Sequence, residues 1–283
     1  MVDCHIHMVL DGVDWRKAIA RHSFRPDLPY ICGILAQYRE LGVTWLRDGG
    51  DRWGVGRAAR AMAAEFGITY RTPLFPISRR GHYGGFIGRQ YETMVQFRAL
   101  LGELRQEGGD FVKLMISGLM DFDHPGVLTE PGLDRRELAE LIAISHGEGF
   151  SVMAHANGAD TVEAAALAGV DSVEHGAYLN EAALDALGAM GVVWVPTLST
   201  VGNLLDRDRF DRNAVKAILE NTARTVADFA AMGGLLAPGS DAGAWAVPHA
   251  VGCQTEYKLL KQILGEQAPA ILEKGIQAIQ QRF

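Results

Sequence analysis

Cysteine is scarce: the 283 residues contain three, Cys4, Cys32 and Cys253. An odd, sparse set argues against a disulfide framework. No CxxC pair occurs, so no thiolate zinc site is indicated, and each thiol reads as a small buried hydrophobe. Long apolar runs are missing too. None approaches the ~20 residues needed to span a bilayer. The start, Met1-Val2-Asp3, has no basic segment followed by an apolar one. The expectation is a cytoplasmic enzyme with no membrane partner. Basic blocks are also lacking. Twenty-seven Lys and Arg against 34 Asp and Glu give a net charge of −7, which leaves a nucleic-acid partner unsupported. No linker rich in Pro, Gly or Ser divides the chain and no short repeat stands out, so one domain over residues 1–283 is expected.

What is present is alternation. Short β-rich runs take turns with helical patterns, the mark of a parallel α/β fold. Strands are expected at Val2–His7, Val43–Arg47, Ile68–Phe75, Phe111–Ile116, Phe150–Ala154, Val170–Glu174, Val192–Pro196 and Gly234–Pro238. Helices are expected at Pro29–Leu41, Val55–Phe66, Tyr91–Glu107, Asp134–Glu148, Ala159–Ala168, Glu181–Met190, Arg212–Met232 and Gln254–Ile279. A Gly-rich loop, Ser78–Gly88, interrupts the third unit. Asp134 is a candidate N-cap, and Gly169 and Gly191 are candidate helix stops. Eight strand–helix units suit a closed (β/α)8 TIM-like barrel of about 250 residues. An open doubly wound sheet would satisfy the same count.

Chemistry-bearing residues cluster at strand ends. His5 and His7 stand at i and i+2 on one strand, so both point to one face. Two imidazoles side by side can grip a metal at the C-terminal end of a barrel strand, where such enzymes place their sites. Lys113 lies within the apolar run Phe111–Ile116, an expensive place for an ammonium unless it is paired or neutral. The plainer reading is a buried ion pair. His155 and His175 end consecutive strands, 20 residues apart. Singly, each suits a structural hydrogen bond; together they suit a metal site. Asp241 follows the last strand, where a loop or N-cap role is the plain alternative.

This set resembles the amidohydrolase superfamily. Asp3/His5/His7 resembles its first-strand DxHxH. Val-Lys-Leu-Met-Ile-Ser-Gly with Lys113 resembles its fourth-strand lysine. Met-Ala-His-Ala-Asn-Gly, Ser-Val-Glu-His-Gly and Gly-Ser-Asp-Ala-Gly resemble strands five, six and eight. Arg47-Asp48-Gly49-Gly50, Gly81-His82 and Pro248-His249 are similar to the imidazolonepropionase-like and prolidase-like branch. The likeness runs from residue 2 to about 260.

The resemblance implies two divalent metal ions. His5, His7 and Asp241 would hold the more buried one and His155 and His175 the other. Lys113 would bridge them as an N-carboxylate made from a neutral amine and carbon dioxide. Zinc suits such nitrogen and oxygen ligands, and manganese, iron or cobalt could substitute. A hydroxide shared by the metals would attack a carbonyl, with Asp241 shuttling the proton to the leaving amine. His82 would stabilise an oxyanion or bind a carboxylate. Tyr83, Arg79, Arg80, His124 and His249 are candidates for reading a small-molecule substrate. Asp3 would orient a ligand from behind. Relatives usually carry a flanking β-sandwich, which is expected to be absent here, and the resemblance suggests a homo-oligomer. The activity expected is hydrolysis of a C–N amide bond in a dipeptide, an N-acyl amino acid or a cyclic amide. Ester, lactone or phosphotriester cleavage, a one-metal decarboxylase and a non-catalytic scaffold are the alternatives.

Overall fold

A computed structural model describes residues 1–283. The strands are β1 (Val2–Ile6), β2 (Trp45–Asp48), β3 (Thr69–Arg71), β4 (Pro76–Arg79), β5 (Arg89–Tyr91), β6 (Val112–Met115), β7 (Val152–Ala156), β8 (Ser172–His175), β9 (Val193–Val195) and β10 (Leu235–Leu236). The helices are α1 (Trp15–His22), α2 (Leu28–Glu40), α3 (Val55–Ala63), α4 (Met94–Gln106), α5 (Arg135–Gly147), α6 (Ala159–Leu167), α7 (Glu181–Ala189), α8 (Ser199–Gly202), α9 (Arg212–Ala231), α10 (Val251–Leu264) and α11 (Ala268–Arg282). None is long and apolar enough to cross a membrane.

Two parallel sheets form, β1-β2-β3 and β10-β9-β8-β7-β6-β4-β5. They are joined at both ends. On one side a single stretch of chain passes from β3 into β4, bent at Pro73–Phe75. On the other, Cys4 N donates to Pro238 O at 2.9 Å, Asp241 N to His5 O at 2.7 Å and His7 N to Ala242 O at 2.7 Å. The strand expected at Ile68–Phe75 is shorter, Thr69–Arg71, because Pro73 lacks a ladder donor, and β4 begins beyond it at Pro76. The loop expected at Ser78–Gly88 begins inside β4. Tyr91, expected to open a helix, ends β5 instead and pairs with β4. The helix starts at Met94 behind a capping box between Thr93 and Gln96.

Other departures have similar local causes. α1 lies in a segment read as connection. Its N-cap Asp14 accepts from Arg16 N and Lys17 N, and its helical stripe is only two turns long. The last expected helix is split into α10 and α11 at Gly265, whose φ is +62°, with Pro269 in the first turn of α11. Asp134 does cap α5, accepting from Arg136 N and Glu137 N.

Strand alternation sorts side chains between two environments. Val112, Leu114 and Ile116 pack with Leu138, Leu141, Leu101 and other helix residues in the largest apolar core. Lys113 and Met115 face the other way, into a cavity. Below that cavity, Phe111, Met153, Val193, Val195 and Ala237 form a second apolar cluster. Phe283 closes it, with its ring 5.2 Å from that of Phe111. The result is a stack: an apolar base, a polar middle layer of Arg47, Ser172 and Glu174, and a rim of histidines.

Candidate metal centre

The polar layer explains how the rim is held. Glu174 is fully buried on β8. Its Oε1 accepts from Arg47 Nη2 at 2.8 Å and Ser172 Oγ at 2.6 Å. Its Oε2 lies 2.8 Å from His5 Nδ1. A buried carboxylate takes a proton donor there, so His5 carries its proton on Nδ1 and presents the Nε2 lone pair upward. Asp3, on the same face, grips the neighbouring loop. It accepts from Ser240 N at 2.8 Å and Ser240 Oγ at 2.6 Å, fixing the residue before Asp241.

Three acceptor atoms then converge. His5 Nε2 and His7 Nε2 are 3.4 Å apart. Asp241 Oδ1 stands 3.6 Å from the first and 3.4 Å from the second. Ligands about 2.1 Å from a tetrahedral ion stand roughly 3.4 Å from one another. Lone pairs at that spacing repel unless a cation sits between them. Asp241 Oδ1 is buried with no hydrogen-bond partner. A ligand nitrogen of His175 also falls within 4.8 Å of those of His5 and Asp241. Gly49 makes room: a Cβ there would overlap the His7 ring.

His175 and Asp241 reach the cavity by an unusual route. Along β8, Ser172 and Glu174 point inward and Val173 outward, so strict alternation would send His175 outward. It adopts a left-handed backbone instead, with φ +70°, as does Asp241 with φ +56°. Such conformations cost on the order of 1–3 kcal/mol for a non-glycine residue and cluster at functional sites. His175 Nδ1 meets Thr197 Oγ1 at 2.7 Å, and its carbonyl accepts from Trp194 Nε1 at 2.9 Å. His155 Nε2 lies 3.2 Å from Gly118 O, so this nitrogen donates and Nδ1 is left for the cavity. The His155 and His175 rings are 4.6 Å apart.

Lys113 is fully buried and its Nζ has no hydrogen-bond partner. Burial pushes its pKa down to about 8; Glu174 opposes the shift and Arg47 adds to it. Burial, with the Lys113 charge next in size, pushes His7 and His155 down to about 3. His5 and His175 are pushed down in the same way, chiefly by burial. The imidazoles are therefore neutral, as ligation requires. Asp241 is pushed up to about 8 by burial, against the pull of Lys113. Burial thus disfavours the bare anion, which a cation beside it would restore. The donor set fits divalent metal: neutral imidazoles, a carboxylate without a partner, and an amine able to become an anionic carbamate.

Other sequence candidates fall elsewhere. Tyr83 lines the cavity, 4.9 Å from the His155 ring. Burial pushes its hydroxyl pKa up, with Asp241 adding, so it stays protonated. The His82 ring points toward Glu130, at 3.8 Å, rather than into the cavity. Arg79 pairs with Glu137 and Arg80 with Glu92, each at 2.6 Å and away from the cavity. His124 is exposed and paired with Asp121 at 3.0 Å. Both ring nitrogens of His249 are engaged, by Leu10 O at 2.9 Å and Tyr38 OH at 3.3 Å. Sequence reasoning gave no role to Glu174, although a charge inside the buried strand Ser172–His175 is the same signal that marked Lys113. It also gave no role to the cavity's aromatic rim.

No protein-family model matches the chain, and no curated protein matches it in sequence. Solved structures do match. A Xaa-Pro dipeptidase with bound methionine superposes with a TM-score of 0.75 at 18% identity, covering 99% of this chain and 75% of the other. A prolidase complexed with N-methylphosphonate-L-proline gives 0.75 at 20%, covering 99% and 74%. An A. niger ochratoxinase gives 0.77 at 18%, covering 98% and 71%. The chain shares the fold of these structures. At these identities the likeness is one of architecture, so the chemistry rests on the residues just described.

Proposed function

We propose that the chain is a single-domain member of the amidohydrolase superfamily, a closed (β/α)8 barrel that hydrolyses C–N amide bonds with two divalent metal ions. The hydrogen bonds from β1 to residues 238–242, and the unbroken passage from β3 to β4, support closure. The observation that carries the activity is the triangle of His5 Nε2, His7 Nε2 and Asp241 Oδ1, with edges of 3.4–3.6 Å. His5, His7 and Asp241 would hold one ion and His155 and His175 the other. Lys113 would join them after its neutral amine adds to carbon dioxide, forming an N–C bond and releasing one proton. Zinc is the metal expected.

The ions, when bound, supply an acidified water and a polarised carbonyl. The chain's own residues do the rest. Asp241 accepts the water proton as oxygen bonds to the carbonyl carbon, and delivers it to the nitrogen as the C–N bond breaks. The products are a carboxylic acid and an amine. Glu174 and Asp3 hold His5 and the Asp241 loop in place. The Tyr83 hydroxyl faces the same space as a donor for the developing oxyanion.

Metal analysis with parallel amide and ester panels tests this. Wild type should carry two ions per chain and favour amides. Lys113→Ala should lose an ion and most turnover. Asp241→Asn should stay folded while kcat falls by roughly 10²–10⁴, the usual worth of a positioned general base. Two ions in Lys113→Ala would remove the bridge, and undiminished kcat in Asp241→Asn would remove the shuttle. A preference for esters would redirect the reading to the ester and lactone alternative.

A further inference from the structure

Above the metal ligands the cavity widens to about 880 Å³, and half of the residues lining it are hydrophobic. Two aromatic walls line it. One is Trp15, Tyr83 and Phe86, with ring centroids 5.3 Å apart for Trp15–Phe86 and 5.9 Å for Tyr83–Phe86. The other is Phe122, Phe210 and Trp245, at 5.2 Å for Phe122–Phe210 and 5.9 Å for Phe210–Trp245. A volume of that size with such walls suits a drug-sized apolar group rather than a small polar one.

Most polar side chains in this space are already occupied. Asn157 is tied to Gly118 O and Ala177 N, and Thr200 to Thr197 O. Thr129 accepts from Leu119 N. Asp14 caps α1, and Asp121 accepts from Asp123 N and pairs with His124. Besides Lys113, two cations lack a carboxylate partner, Arg16 and Arg209, each lying over a tryptophan at the rim. The guanidinium carbon of Arg209 is 4.8 Å from the Trp245 ring and 5.2 Å from the Phe210 ring, within the second wall. Arg16 lies 4.3 Å over Trp15 on α1, and both arginines are exposed. Of the two, Arg209 has two rings beside it instead of one, and its planar fork, free of any carboxylate in the protein, can take one in bidentate fashion.

We propose that the substrate is an N-acyl amino acid whose acyl group is large and aromatic, and that Arg209 reads its free carboxylate while the two aromatic walls clasp the acyl group. This rests on the amide-hydrolase reading and narrows it. An unpartnered cation at the mouth of an apolar cavity would also exclude lysine-bearing and amidated compounds, which bring a like charge or no charge to Arg209.

The test uses the zinc-loaded protein and three compounds: N-phenylacetyl-leucine, its carboxamide and N-acetyl-leucine. Wild type should show kcat/KM at least tenfold higher for the first than for either of the others. Arg209→Gln should bring the acid-to-carboxamide ratio close to one, and Arg209→Lys should keep part of it. Trp245→Ala should reduce the phenylacetyl-to-acetyl ratio. The same compounds are followed by equilibrium binding through tryptophan fluorescence, which needs no turnover. Equal handling of acid and carboxamide by wild type, or an undiminished ratio in Arg209→Gln, overturns the proposal while amide hydrolysis stands. Binding that depends on Arg209 and on the carboxylate, but without cleavage of any compound, keeps the recognition and overturns the hydrolase reading. Absence of both binding and cleavage overturns both.

Discussion

Glu174 shows how a single buried charge organises this site. It is sandwiched between Arg47, which it neutralises, and His5, whose proton it fixes on Nδ1. Removing one partner of a buried ion pair leaves the other uncompensated, at a cost of roughly 3–5 kcal/mol. Glu174→Ala is therefore expected to lower unfolding stability by about that amount, read in urea titrations. Metal affinity should fall too, by about 10–100-fold, because His5 loses its orienting partner. Glu174→Gln should suffer less on both counts. If Glu174→Ala bound metal as tightly as wild type, the orienting role would have to be given up.

Between elements, two contacts decide how strands and helices meet. Gly275 on α11 lies against β10, where a Cβ would overlap the Leu236 carbonyl. Gly275→Ala must push α11 off the strand, an overpacking cost of about 1–3 kcal/mol. A Tm equal to wild type would show that the helix has slack. Asp48, at the end of β2, accepts from Met8 N at 3.2 Å and Thr72 Oγ1 at 3.1 Å, tying three segments together. Burial, with Asp51 adding, pushes it from 3.8 up to about 7. A raised acid pKa means that the folded state holds a proton the unfolded state releases. Its contribution is complete below pH 3.8 and is lost as pH rises through 7. The slope is at most roughly 1.4 kcal/mol per pH unit. Asp48→Asn should flatten this part of the pH–stability curve of metal-free protein. A wild-type and variant pair with parallel curves would show that Asp48 titrates normally.

The molecule as a whole concentrates repulsion at one point. Four neutral imidazoles, a lysine and a carboxylate share a buried rim, and cations binding there act only on the folded state. A ligand at a hundred times its Kd contributes about 2.7 kcal/mol to stability. Chelation should thus lower Tm by roughly 5 °C, with recovery when zinc is restored. Scanning calorimetry reads both directions, and an unchanged Tm after complete metal removal would show that no ion is bound at this rim in the folded protein.

Much of this arrangement could be read along the chain, for physical reasons that differ by residue. His5 and His7 share a face because strand geometry has a period of two. Lys113 stands out because an amine in an apolar strand needs a purpose, and Asp134 caps its helix by chemistry local to four residues. The alternation of strands and helices follows from the same short-range patterns. Other features depend on contacts that span the chain. Pro73 ends β3 early, and which sheets β3 and the following β4 join is settled by neighbours far away in sequence. His175 and Asp241 turn inward through left-handed backbones that no alternation rule supplies. Arg79 ends β4, and Arg80 and His124 sit in loops, yet their charges found Glu137, Glu92 and Asp121 first. The sequence by itself determined the parallel α/β pattern and which side chains bear the chemistry, since those are properties of local period and residue type. Only the tertiary structure decided which groups face one another across the cavity, because that requires distant strands to bring Glu174 under His5 and Arg209 over Trp245.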